Sequence, residues 1–447
     1  MALELKLSIS CHCGAAKQTV DPREKLSGSP QDINLCHCDA CRHNTGLLCV
    51  SHIGIERPGS IEGLAEYRST TKTVSRFFCA TCGCHVFWRL RDSPQEWWAV
   101  ATGVVIGLDG ELEEGPTGID VTGMPIRYVR HINTAGTRDG GLSPFLPRTR
   151  GGQELEVADA DLGRSPLGER KEKGGGEVLS AFCHCRAVRF HITRPNAESR
   201  LPRSNFPDLM IPYHTGSPRI QNPDDEKWWL RPGRLGTSSA GAKTLLAEKD
   251  GPRRYLAGTC ACRSCRLTSG FEIQTWAFVP RANIFFHIHS HDRNPGAPEP
   301  SESGTLNEVH REEKEKEKEK EEEEEEEEGI VPLDFGALPP GLLTSYESSR
   351  GVRREFCARC GATVFWRDRW RPELIDVSVG LLDAEEGARA ETWLDWWAER
   401  VSFAEDAGNG RVGETARRAE GLVGGLEDGL RRWGGGEVSR CGREGLA

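Results

Sequence analysis

Two short stretches, CHCDACRHNTG from Cys36 to Gly46 and CACRSCRLTSG from Cys260 to Gly270, carry the same Cys-x-Cys-x-x-Cys-Arg pattern. Thiolates so spaced suit one soft metal ion. Zinc is the natural candidate, tetrahedral and normally closed by four Cys or His ligands in structural sites. Cysteine pairs flank each stretch: Cys11 with Cys13 and Cys79 with Cys82 around the first, Cys183 with Cys185 and Cys357 with Cys360 around the second. A Cys-x-Cys hairpin and a Cys-x-x-Cys knuckle together supply four thiolates. Cys11, Cys13, Cys79 and Cys82 are therefore read as one structural zinc site, and Cys183, Cys185, Cys357 and Cys360 as another. The triples Cys36, Cys38, Cys41 and Cys260, Cys262, Cys265 are left over. Three protein ligands with a fourth position open is the coordination of a catalytic zinc, where water or an incoming thiol binds. A distant His or Asp closing the triple, or a triple without metal, is the competing reading. The full reading is up to four zinc ions per chain, one structural and one catalytic in each copy.

Comparing the copies sorts the remaining candidates. His37 faces Ala261 and His43 faces Leu267, so a shared site needs neither. Cys49 and Cys84 have no cysteine counterparts, and Cys441 lies in a polar tail; all three are read as bystander thiols. His12 and His184 do correspond and are weak candidates for supporting a ligand from behind. Arg42 and Arg266 directly follow the third cysteine of each triple. Each is read either as a partner for a substrate carboxylate or as a surface cation balancing the thiolates. Thr45 with Gly46, and Ser269 with Gly270, are candidates for turns facing the site. Phe87, Trp88, Phe365 and Trp366 are read as core.

The elements that position these groups are themselves duplicated. ISCHCGAAKQTV matches AFCHCRAVRFHI, and SRFFCATCGCHVFWRL matches RREFCARCGATVFWRD. Between these motifs the chain reads as short β-branched and aromatic strands such as HVFWRL, EIQTWAFV, TVFWRD and LIDVSVGLL. WWAVATGVVIGL reads as one buried strand. ETWLDWWAERVSFAEDA and GLVGGLEDGLRRW have helix-like spacing, with Trp393, Trp396 and Trp397 as packing groups. The expected fold is mainly β: two tandem zinc-bound domains with long irregular insertions and a short helical C-terminal region. The first domain spans 5–135, a linker 136–177, and the second domain 178–405, with insertions at about 195–255 and 287–330. A polar tail fills 406–447.

Composition limits the alternatives. Of the net charge of −10, the tract 312–328 supplies −9 through thirteen Glu and four Lys, so the rest is near neutral. No basic footprint for nucleic acid is present. No stretch reaches the run of about 18 apolar residues that spans a bilayer, and MALELKLSIS does not read as a secretory signal. Seventeen cysteines grouped at metal-ligand spacing suit a reducing compartment better than a disulfide framework. A cytoplasmic location is expected, with a nuclear one left open, and oligomeric state is not legible.

Taken together, these motifs resemble the family of glutathione-dependent formaldehyde-activating enzymes, also called the GFA or centromere protein V (CENP-V) domain family, and the tandem arrangement is similar to fungal members. The resemblance implies a β-tent fold of small antiparallel sheets. It also implies a structural zinc on the outer cysteine pairs and an active-site zinc on the central triple. The implied reaction is carbon–sulfur lyase chemistry on a glutathione–aldehyde adduct, the formation or cleavage of S-hydroxymethylglutathione from glutathione and formaldehyde. A non-catalytic zinc module that binds a protein partner, and a thiol/zinc redox sensor, are the rival readings.

Overall fold

The computed structural model describes residues 6–23, 31–69, 73–91, 96–108, 126–158, 178–212, 220–232, 254–288 and 329–435. The Glu/Lys tract 312–328 and Cys441 lie outside the described residues. The protein is mainly β, in several small sheets with one long C-terminal helix.

The first copy begins with β1 (Leu7–Ile9), β2 (Gln18–Val20), β3 (Gln31–Cys36) and helix α1 (Asp39–Thr45). It continues through β4 (His52–Ile55), β5 (Leu64–Arg68), β6 (Val74–Cys79) and β7 (His85–Leu90). Strands β8 (Trp97–Ala101), β9 (Val105–Leu108) and β10 (Ile126–Ile132) complete it, and β11 (Glu156–Ala158) follows. The second copy opens with β12 (Val178–Phe182), β13 (Arg189–Thr193), β14 (Leu230–Arg231), β15 (Arg254–Cys260) and helix α2 (Arg263–Ser269). Next come β16 (Gln274–Pro280), β17 (Ile284–Ile288), β18 (Gly329–Pro332), β19 (Leu343–Ser349) and β20 (Val352–Cys357). Strands β21 (Thr363–Asp368), β22 (Leu374–Ser378), β23 (Leu382–Asp383) and β24 (Leu394–Trp396) precede the final helix α3 (Gly413–Gly435).

The copies share a topology. Sheet order β4-β8-β7-β6-β5 in the first recurs as β16-β22-β21-β20-β19 in the second, where β15 and β14 extend it. The order β2-β1-β9 recurs as β13-β12-β23, widened by β17 and β18. Strand β10 lies parallel to β3, and β24 lies parallel to β15. In β7 and β21 the three N-terminal residues are buried on both faces and the Trp-Arg ends emerge, a pattern expected where a strand leaves a core.

Two sequence expectations change here. WWAVATGVVIGL is two strands separated by a single helical turn at Thr102–Val104, because Gly103 leaves the sheet to donate its N–H to Gly270 O in the other copy, at 2.9 Å. The segment ETWLDWWAERVSFAEDA forms no α-helix. Leu394–Trp396 is a strand paired to Tyr255–Ala257, and Trp393 and Trp396 are each 5 % exposed. The Trp spacing fits a helix and a short inward-facing strand equally, and the open edge of β15 decides it. The Trp residues are packing groups, as their types suggested.

The two copies meet through reciprocal contacts. Gly103 N–H bonds Gly270 O, and Gly380 N–H bonds Gly46 O at 3.1 Å. His12 N–H bonds Leu267 O at 3.0 Å, and His184 N–H bonds His43 O at 2.8 Å. Gly46 and Gly270 end α1 and α2 with φ of 80° and 89°, in the left-handed region. A Cβ at either would strike a carbonyl of the opposite copy, Thr363 O or His85 O. One continuous apolar core therefore runs from Leu7 through both copies to Leu430.

Residues 136–158, in the stretch read as linker, bury Leu142, Phe145, Leu146 and Leu155. Helix α3, in the stretch read as a polar tail, buries Leu422, Val423, Leu426 and Leu430. Its glycines let the 145–150 backbone approach closely. Gly429 faces Phe145 O, Gly425 faces Arg148 O, and Arg150 donates its N–H to Gly421 O at 2.8 Å.

Candidate metal centres and the cavity at the second triple

Each closed set gathers where a strand end meets a knuckle. Cys11 and Cys13 follow β1, Cys79 ends β6, and Cys82 sits in the turn that Gly83 completes by donating its N–H to Cys79 O at 2.9 Å. Cys183 and Cys185 follow β12, and Gly361 repeats the turn at Cys357. Within both sets the sulfur atoms lie within 4.8 Å of one another. The separations include 3.6 Å for Cys11–Cys13, 3.5 Å for Cys13–Cys79, 3.4 Å for Cys183–Cys185 and 3.5 Å for Cys185–Cys357. Four thiolates around zinc at about 2.3 Å stand about 3.8 Å apart, whereas a disulfide needs about 2.05 Å. The donor sets thus fit a tetrahedral metal, and every described cysteine is unbridged. Backbone N–H groups of Ala16 and Val188 point at Cys11 and Cys183 Sγ, at 3.4 and 3.3 Å, and favour the charged sulfur.

The triples are built alike. Cys36 and Cys260 end β3 and β15, Cys38 and Cys262 stand at the N-caps of α1 and α2, and Cys41 and Cys265 lie one turn on. Among the described residues no His, Asp, Glu or further Cys joins either triple within 4.8 Å, so each presents three sulfur atoms and an open side. Behind each stands an arginine, half-buried in the first copy and buried in the second. Arg76 Nη2 donates to Cys41 Sγ at 3.2 Å, and both terminal nitrogens of Arg354 reach Cys265 Sγ at 3.5 Å. Cys41 and Cys265 are held well below the usual thiol range by hydrogen bonds from the other two cysteines, with the arginine charge adding to the effect and burial opposing it. Arg76 and Arg354 occupy the same place in SRFFC and RREFC, three residues before a ligand cysteine, and the repeat alone marks them. Sequence reasoning passed them over.

The surroundings of the triples differ. The second opens on a cavity of about 1090 Å³ whose wall includes Cys260, Cys262 and Cys265, Trp276, Trp366 and Phe403, and residues of the insertion between Arg203 and Asp225. Trp366, expected in the core, lines this cavity, whereas Phe365 is fully buried. The insertion is anchored by Asp208, which accepts from Arg400, Ser402 Oγ and the Phe403 N–H. At the first triple Asn133 donates its amide to Cys36 Sγ at 3.2 Å. Asn133 and Phe403 are equivalent: each follows the residue whose carbonyl accepts from the position after Cys36 or Cys260, and both have positive φ.

Arg42 and Arg266 do not reach a substrate position at the triples. Arg266 is 1 % exposed and donates to Gly103 O and Asn409 O at 2.7 and 2.8 Å. Burial lowers it to about 9. Arg42 pairs with Asp39 at 3.0 Å and reaches Gly380 O at 3.4 Å. It borders a separate cavity of about 30 Å³, room for one water rather than a tripeptide. Both follow the third cysteine of a triple on the buried face of a short helix and brace one copy against the other. Thr45 and Ser269 are buried and bond locally within their own copy: Thr45 Oγ1 donates to Cys41 O, and Ser269 Oγ to Phe271 O.

His37 is buried and donates from Nε2 to His131 Nδ1 at 2.8 Å, while His131 Nε2 donates to Leu146 O. His43 bonds Phe182 O and stacks on its ring at 4.2 Å. Cys49 and Cys84 are buried outside the four clusters. His12 and His184 cross between copies, to Tyr346 and Tyr67 respectively, and His12 Nε2 also meets Ser264 Oγ at 3.0 Å inside the second triple's helix.

No helix among the described residues is long and apolar enough to cross a membrane. No curated protein and no solved structure matches the chain. The model of the family described as glutathione-dependent formaldehyde-activating enzyme matches residues 6–114 and 340–400, one segment in each cysteine-bearing copy, consistent with two copies of that domain type in one chain.

Proposed function

We propose that the chain is a zinc-dependent enzyme that forms or cleaves the carbon–sulfur bond of a glutathione–aldehyde adduct, with S-hydroxymethylglutathione as the case suggested by the matched family. One observation carries this reading: Cys260, Cys262 and Cys265 present an open side to a cavity large enough for a tripeptide. In the forward direction the thiol sulfur adds to the carbonyl carbon, the C=O π pair moves to oxygen, and the thiol proton ends there; cleavage is the reverse. Zinc held by the three cysteines would supply Lewis acidity and favour a thiolate at neutral pH. The chain's own contribution is placement and charge. Arg354 offsets the negative charge gathered at Cys265, and residues of the insertion, Phe206 and Leu209 among them, form part of the cavity wall beside the triple.

The outer cysteine sets are assigned as structural zinc sites, giving up to four zinc ions per chain, and a reducing compartment suits the unbridged thiols. The test is exchange spectroscopy of glutathione and formaldehyde with zinc-loaded protein against a protein-free blank. Acceleration that disappears in Cys262→Ser supports the proposal; no acceleration by fully metallated protein removes it.

A further inference from the structure

We infer that the second triple serves an anionic thiol adduct whose carbonyl-derived group is bulky and apolar, selected by Arg263 and an aromatic wall. The inference rests on the function proposed above and names the substrate class of one of its two sites.

Size and lining come first. Formaldehyde contributes a single carbon, yet the cavity of about 1090 Å³ lies just above the range of roughly 300–1,000 Å³ that holds whole drug-sized ligands. Phe206, Trp276, Phe278, Trp366, Trp370 and Phe403 contribute to its wall, and Trp370 is 62 % exposed at its edge. A glutathione adduct of formaldehyde would leave such rings facing water. An aromatic or long aliphatic aldehyde would bury them.

Charge comes second. The cavity's carboxylates are already engaged: Asp208 with Arg400, Asp225 with Lys227 and Arg203, Asp368 and Asp376 with Arg371. Asp406 accepts the backbone N–H of Arg263 and the Asn409 amide. Arg354 is committed to Cys265. Arg263 stands between Cys262 and Ser264, is exposed, and lines the cavity. Its guanidinium has no hydrogen-bond or ion-pair partner among the described residues. A free guanidinium beside an open thiolate triple is placed to take a carboxylate of the adduct.

The first copy lacks the free guanidinium and most of the rings at equivalent positions. Asp39 stands for Arg263 and is paired to Arg42. His52 and Gly54 on β4 stand for Trp276 and Phe278 on β16, and Ala99 opposite them stands for Asp376. Asn133 stands for Phe403. Trp88, the counterpart of Trp366, is kept and stands edge-on to His52; at the other positions the first copy has small or polar groups and an acid where the second has rings and a base.

Titration calorimetry of the zinc-loaded full chain with S-benzylglutathione and S-methylglutathione, stable mimics of a bulky and a one-carbon adduct, tests this. We expect one site per chain, with the benzyl probe bound about tenfold more tightly, as burial of a phenyl ring requires. Arg263→Asp, which installs the first copy's residue at an exposed position, should weaken both probes about tenfold. Trp276→His should weaken the benzyl probe alone. Circular dichroism checks that both variants keep the fold. Equal affinity for the two probes, or indifference to Arg263→Asp, overturns the inference and leaves the proposed function standing. No binding of either probe or of glutathione itself overturns both.

Discussion

Tyr346 Oη lies 2.8 Å from Nδ1 of His12, a residue 334 positions earlier in the chain. Its counterpart Tyr67 lies 2.7 Å from Nδ1 of His184. Each histidine sits between two cysteines of a closed set, so each closed set is fastened to the opposite copy. His12 also meets Ser264, which places the first copy's closed set against the helix of the second copy's open triple. Closed sets and open triples are thereby joined across the interface rather than within a copy.

Removing that fastening should weaken the whole molecule and not one half. Tyr346→Phe is expected to cost about 1 kcal/mol, the net worth of one hydrogen bond. It should do so in a single cooperative transition. Urea denaturation followed by both fluorescence and far-ultraviolet circular dichroism checks it; two separated transitions would contradict the shared core.

The four cysteine sets should respond differently to loss of a ligand. Cys38→Ser and Cys262→Ser are each expected to lose about one zinc by elemental analysis and remain folded, since an open triple ties together residues only a few positions apart. Cys82→Ser opens a set that joins the end of β1 to the end of β6, and should unfold the protein at ambient temperature. Equal metal loss and equal unfolding in all three would refute the division.

The glycines that end α1 and α2 should not tolerate a side chain. Gly270→Ala must hold φ near 89° and place a methyl against His85 O. We expect a loss above about 1 kcal/mol, more than the usual strain of a left-handed residue alone, because carbonyl and methyl cannot both stay. Gly14, at φ 85° with open space around it, is the control and should lose only the conformational part. Thermal melts of the two variants compare them directly.

A buried ion pair is expected to contribute to stability against acid. Glu272 of the second copy bonds Arg411 at 2.9 Å and accepts from Thr102 of the first copy at 2.8 Å. Burial alone would raise its carboxyl, but the Arg411 charge, helped by Arg418 and the Thr102 hydroxyl, brings it below the ordinary value. A depressed carboxyl contributes stability that is complete above its unfolded pKa and is lost as pH falls through the lower, folded value. Glu272→Gln is therefore expected to cost about 3 kcal/mol at neutral pH, the scale for breaking a buried pair, and to reduce the drop in stability below about pH 4. Denaturant midpoints measured from pH 3 to 7 test both parts.

Much of the site was legible because ligand chemistry is local. Counting thiolates in CHC, CHCDAC and CATC, and then in their repeats, sorted closed sets from triples correctly as groups in space. The strands HVFWRL and TVFWRD were legible because short aromatic and β-branched runs end at charged residues. What failed was anything decided between the copies. Arg42 and Arg266 follow ligand cysteines in sequence, but a seven-residue helix turns them toward Gly380 and Gly103, and spacing within one motif carries no trace of a neighbour hundreds of residues away. His12 and His184 were noticed because they repeat, though their tyrosine partners in the other copy could not be. The helix expected at ETWLDWWAER lost to the unpaired edge of β15, a tertiary demand that outweighs a three-residue periodicity.

The reciprocal contacts have one more consequence. In an assembly of two identical subunits every substitution is made twice, so a change that reshapes one site reshapes its twin and strains the interface on both sides. Here the halves share one chain but not one set of codons. Asp39 and Arg263, His52 and Trp276, Asn133 and Phe403 are free to differ, while Gly46 and Gly270, Tyr67 and Tyr346, His12 and His184 keep the two-fold seam intact. Symmetry is retained where the halves grip each other and given up around the two open triples, a division of labour that a homodimer cannot make.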